Sequence, residues 1–160
     1  MKQNARWLAI AALVWLGAWA VTRWQRATTV ARPTWQKPVS ELTEAQRTEF
    51  VRLREAIVVA ESGRSANRAW PDTFLPGFTR TTRGLHTTYV GEAAGLRWLV
   101  LFLEPDPRLG PEDAGLDDEH HRLADGTPLH VTVWTQGLDL APPTQLVAFP
   151  AVEGWTERVR

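Results

Sequence analysis

The sequence predicts an α+β protein: an N-terminal transmembrane or signal helix, followed by one amphipathic helix packed on a small antiparallel β-sheet. Three observations carry that expectation. Trp7 to Val21 is an apolar run without a charge. Phe50, Leu53, Ile57 and Ala60 recur at three- and four-residue steps, the spacing of one helix face. Leu129 to Trp134 alternates with a period of two, the mark of a half-buried strand.

The first element sets the organisation. A basic start (Lys2, Arg6) precedes fifteen uncharged residues, Trp7 to Val21, which as a helix span about 22 Å, short of the roughly 30 Å hydrocarbon core. Trp7 and Trp24 at the two interfaces and a snorkelling Arg23 extend the span, so residues 7–22 are expected to contact membrane lipid. The same stretch fits a secretory signal, with Ala18-Trp19-Ala20 as a small-x-small cleavage site. Either reading carries the rest of the chain across the membrane. Four basic residues after the run (Arg23, Arg26, Arg32, Lys37) against two before it point the other way, toward a cytosolic domain. The basic start and the Ala-x-Ala site together favour export. The expectation is therefore a single-pass inner-membrane protein of bacterial type with a periplasmic domain; the alternatives are a cleaved periplasmic protein or a cytoplasmic domain. The domains expected are an anchor or signal peptide over 1–22, a basic linker over 23–37 and a soluble α+β domain over 38–160.

Charge separates along the chain. Residues 1–37 hold six basic residues and no acid, so residues 38–160 hold 12 basic and 18 acidic residues. Eight of those acids fall between Glu104 and Asp125. A net-negative domain argues against nucleic acid, whose phosphates require a basic face. With no cysteine, thiolate metal sites, disulfides and a Cys nucleophile are excluded.

Within the domain, Ser40 to Ser62 is the expected helix. Thr43 with Gln46 makes a capping-box pattern and Gly63 a C-terminal stop. Its apolar stripe is narrow, so it suits one side of a small core; a homodimer seam through residues 43–62 is the alternative. Leu85 to Val90 and Leu96 to Leu103 flank Gly91 to Gly95 as a hairpin, and Trp98 to Leu103, apolar on both faces, is the expected central strand. A helical turn is expected near Asp117 to Leu123, a turn at Asp125 to Pro128, and further strands at Gln145 to Phe149 and Trp155 to Val159. The sheet should have four or five strands.

One constellation carries chemistry. Asp117-Asp118-Glu119-His120-His121 precedes Asp125, and His130 follows on the next strand. Imidazole nitrogen and carboxylate oxygen suit zinc and related divalent metals, so Glu119, His120, His121 and His130 are the candidate metal ligands and zinc the candidate ion. His86 lies on a strand that could neighbour His130. There is no HExxH, Gly-x-Ser-x-Gly, Walker loop or dinucleotide fingerprint, and the clustered acids are expected to be solvated. Trp134, beside His130, either packs in the core or lines a recognition surface.

These features imply a membrane-tethered envelope accessory protein without catalytic activity, handling a divalent metal such as zinc for a membrane transport system alongside a membrane-protein partner. The alternatives are a plain interaction or assembly subunit of a membrane complex and a metal-dependent hydrolase.

Overall fold

A computed structural model describes residues 33–106, Leu109 and residues 119–160. The anchor expected over 7–22, most of the basic linker, and Asp117 and Asp118 lie outside the described residues. Among those described, no helix is long and apolar enough to cross a membrane.

Residues Thr34–Arg160 form one compact unit. Its elements are β1 (Gln36–Pro38), a 3-10 turn (Val39–Glu41), α1 (Glu44–Asn67), β2 (Thr79–Arg83), β3 (His86–Ala93), β4 (Leu96–Leu103), β5 (His120–Arg122), β6 (Pro128–Gly137) and β7 (Thr156–Val159). The seven strands make one sheet in the order β1-β7-β6-β4-β3-β2, with β5 added beside β6. One helix on one sheet is the α+β arrangement expected.

Two differences concern the sheet itself. It has more strands than expected, and it is mixed rather than antiparallel, because β1 runs parallel to β7. Trp35 to Pro38 thus belongs to the fold: the Glu157 amide donates to the Trp35 carbonyl at 2.9 Å, and Gln36 Nε2 donates to Glu157 Oε2 at 2.6 Å. Trp35 also stacks on Trp134, with ring centroids 5.6 Å apart.

The helix starts at its capping box, with Glu44 as its first residue, while Ser40, the expected start, lies in the 3-10 turn. Thr43 Oγ1 accepts from the Gln46 amide and Gln46 Oε1 accepts from the Thr43 amide, so the capping box is complete. Thr43→Ala is expected to lower the free energy of unfolding by about 1 kcal/mol in a denaturant titration. The end differs from expectation, because α1 runs through Gly63 to Asn67 and stops at Arg68 in the left-handed conformation (φ 56°). Glycine inside a helix costs about 1 kcal/mol against alanine. An added contact offsets that cost: Arg64, one residue on, donates from Nε to Glu104 Oε2 at 3.0 Å and lies 3.5 Å from Asp125 Oδ2. Glu104, as hydrogen-bond acceptor, raises the pKa of the Arg64 guanidinium.

Strand β4 is central and buried on both faces. Trp98, Val100 and Phe102 meet Phe50, Leu53 and Ile57 of α1, together with Leu129, Val131 and Val133 of β6. Leu99 and Leu101 face the other way, into a smaller cluster with Trp134, Val147 and Trp155. The alternation expected for β6 holds, and Trp134 is core, not a recognition surface. Val147 reaches that cluster from irregular chain: Gln145 to Phe149 is not a strand. Pro142, Pro143 and Pro150 flank the segment, and proline cannot donate to a sheet ladder. The β3–β4 hairpin is tighter than expected, with Ala94 (φ 51°) and Gly95 (φ 75°) alone making a primed two-residue turn. Gly91 stays in β3, where a Cβ would come within 2.5 Å of the Phe78 ring.

Tyr89, the only tyrosine, is fully buried, and its hydroxyl donates to the Pro71 carbonyl at 2.5 Å. Burial pushes its pKa up to about 12, partly opposed by Arg80. The phenol is protonated in both states at neutral pH. As pH rises above the ordinary value near 10, the unfolded chain ionises first. Stability should therefore fall between pH 10 and about 12, and tyrosinate absorbance should rise with a midpoint near 12 in the folded protein.

Candidate metal centre

The site forms where β5 joins β6. His120 pairs directly with His130, and His121 with Leu129. The Val131 amide donates to the Glu119 carbonyl at 2.7 Å, which fixes Glu119 at the head of β5. The expected helical turn is replaced over His120–Arg122 by this short strand, and the difference decides which side chains meet. Successive residues of a strand point to opposite faces. His120 therefore shares a face with His130, while His121 shares the face of Leu129, on the side of α1.

Three of the four candidate ligands come together. Donor atoms of Glu119, His120 and His130 lie within 4.8 Å of one another. The two imidazoles are stacked, with centroids 4.1 Å apart and planes inclined by 16°. His121 is not brought to the group: its Nε2 lies 3.2 Å from Glu61 Oε1 of α1. His86 shares the face and the row of His130, but Leu103 of β4 stands between them, paired to His86 on one side and His130 on the other. Two strand spacings, roughly 10 Å, separate the two histidines.

The structure adds one residue to those the sequence singled out. Asp106, just beyond β4, is buried, and its Oδ2 lies 2.8 Å from Nδ1 of His120. Its amide donates to the Pro128 carbonyl at 3.0 Å, and Leu109, also buried, donates its amide to the Asp106 carbonyl at 3.4 Å. Its charged neighbours place Asp106 among the clustered acids that the sequence predicts to be solvated. Its position directly after the central strand was the available signal, since a chain leaving a buried strand leaves it at the level of the core. Asp125 is exposed, as expected of the clustered acids, but it is not unperturbed. The Thr127 side chain and amide hydrogen-bond to its carboxylate and hold its pKa below the ordinary value.

The chain matches no family model, no curated protein and no solved structure. Its own residues carry the chemistry. Two imidazoles and a carboxylate are a donor set suited to zinc and neighbouring divalent ions. Three protein donors leave at least one position for water or an exchanging group.

Proposed function

We propose that this chain is a non-catalytic, membrane-tethered envelope protein that binds zinc through Glu119, His120 and His130 and handles it for a membrane transport system. The observation that carries the reading is the convergence of those three donors within 4.8 Å. Zinc lies about 2.0–2.2 Å from nitrogen and oxygen donors, so a shared ion requires donor separations of at most about 4 Å. The 4.8 Å limit exceeds that separation and the two rings are stacked, so binding requires the donors to draw closer and the rings to tilt toward a shared ion. The apolar run from Trp7 to Val21 supports the tether, and an open coordination position supports exchange of the ion with a partner.

Three cavities among the described residues lie away from the three donors. One of about 570 Å³ is lined by Thr79, Thr88, Arg97 and Pro142 among others, one of about 500 Å³ by Arg83, His86 and Leu146, and one of about 320 Å³ by Arg68, Trp70 and Arg80. None of these three is lined by Glu119, His120 or His130. A catalytic metal needs substrate space beside its open position, whereas a handling site does not.

Calorimetric titration of the full-length chain in detergent with zinc tests the reading. One equivalent bound at submicromolar Kd is expected. Absent binding, or weak binding shared by a variant lacking His120 and His130, would remove it. A second reading, a plain interaction subunit, is favoured by the outer face of α1, where Val51, Val58 and Val59 are exposed, and it is the reading left if zinc does not bind.

A further inference from the structure

The zinc reading assigns no role to the buried Asp106, whose side chain is fully shielded from solvent. Acidic residues are rarely buried to that degree without a specific partner. One partner here is a nitrogen of a ligand: Oδ2 lies 2.8 Å from His120 Nδ1, and the Asp106 amide is itself tied to Pro128 at the start of β6. The carboxylate and the imidazole are thus anchored to the same strand, one through its backbone and the other through the β5–β6 ladder. We propose that Asp106 is the positioning residue of the metal centre: it holds the proton of His120 on Nδ1 and so leaves Nε2 as the ligand atom.

The chemistry follows from the donor inventory of the two groups. A neutral imidazole carries one N–H donor and one lone-pair acceptor, and a carboxylate only accepts. The nitrogen facing Asp106 therefore bears the hydrogen, and the opposite nitrogen bears the lone pair. Losing a carboxylate partner behind a ligating histidine weakens metal affinity by about 10–100-fold. His130 reinforces the orientation. Its ring lies nearly flat against His120, so His120 cannot turn over without displacing its neighbour. The inference rests on the zinc reading for its metal, but the tautomer it requires is a property of the metal-free chain.

The test uses the full-length chain in detergent with Asp106→Ala and Asp106→Asn. Long-range proton–nitrogen NMR of the imidazoles gives the His120 tautomer without metal, and competition with a chromophoric chelator gives zinc affinity. The expected result is a single Nδ1–H tautomer in the unaltered chain. Asp106→Ala should mix the tautomers and weaken zinc by about 10–100-fold. Asp106→Asn, whose amide oxygen can accept the same hydrogen bond, should keep the tautomer and recover most of the affinity. A His120 proton found on Nε2 in the unaltered chain, undiminished affinity in Asp106→Ala, or an Asn variant as weak as the Ala variant would each overturn the proposal. If Asp106→Ala does not fold, the tautomer of the unaltered chain and the Asn variant still decide. An unaltered chain that binds no zinc defeats the zinc reading itself, whereas zinc binding indifferent to Asp106 defeats only this inference.

Discussion

Replacing His120 and His130 together by alanine should weaken zinc binding by at least about 100-fold, equivalent to about 2.7 kcal/mol, in the same titration that detects one equivalent in the unaltered chain. Two of the three converging donors are removed, and a lone Glu119 carboxylate offers only the weak association typical of surface acids. His121→Ala is the internal control. It removes an equally prominent histidine from the adjacent position, but one that faces Glu61 across the other side of β5. Zinc affinity of that variant should stay within about twofold of the unaltered chain. A comparable loss in His121→Ala would mean that zinc binds the histidine-rich segment without regard to the site geometry.

Trp98→Ala should be the most damaging single change to the fold. The indole is wholly buried in the central strand and donates from Nε1 to the Ala93 carbonyl at 2.9 Å. Removing it opens a cavity between the sheet and α1 and leaves that carbonyl without its partner. The expected loss is about 3–5 kcal/mol. At about 3–6 °C per kcal/mol for a domain of this size, thermal unfolding followed by circular dichroism should shift down by about 9–30 °C. Val59→Ala, at a helix position 72% exposed, should change stability by less than about 0.5 kcal/mol. A Trp98→Ala variant unfolding within a few degrees of the unaltered chain would place the core elsewhere.

The elements legible in the sequence are those whose information is local. The capping box of α1 lies within four residues, and the helix face repeats along one segment. Strand β4 declares itself by being apolar on both faces, and β6 by alternating over consecutive residues. What was not legible depends on pairing between distant parts of the chain. Gln36-Lys37-Pro38 has no strand pattern of its own and is a strand only because β7, at the other end of the sequence, offers it a parallel ladder. His120-His121-Arg122 is equally short and polar, and its conformation comes from β6. Gln145 to Phe149 shows the converse: strand-forming residues fail to make a strand where prolines on both sides interrupt the ladder.

The same division runs through the candidate centre. Residue type and nearness in sequence were enough to collect Glu119, His120 and His130, because a short connection returns the chain beside itself. Separating His120 from His121 required knowing that the segment is a strand, in which neighbours face opposite ways. A helical turn would have kept them closer to one side. Asp106 joins the centre through tertiary packing, which takes an acid out of a charged stretch and buries it against an imidazole.

Zinc K-edge X-ray absorption on the full-length chain loaded with one equivalent tests the central claim most directly, because it reports the donors around the bound ion. A first shell of nitrogen and oxygen at about 2.0–2.1 Å, with the outer-shell scattering of two imidazoles, is the predicted result. A shell of oxygen alone, without imidazole scattering, would contradict it and place any bound zinc on surface acids.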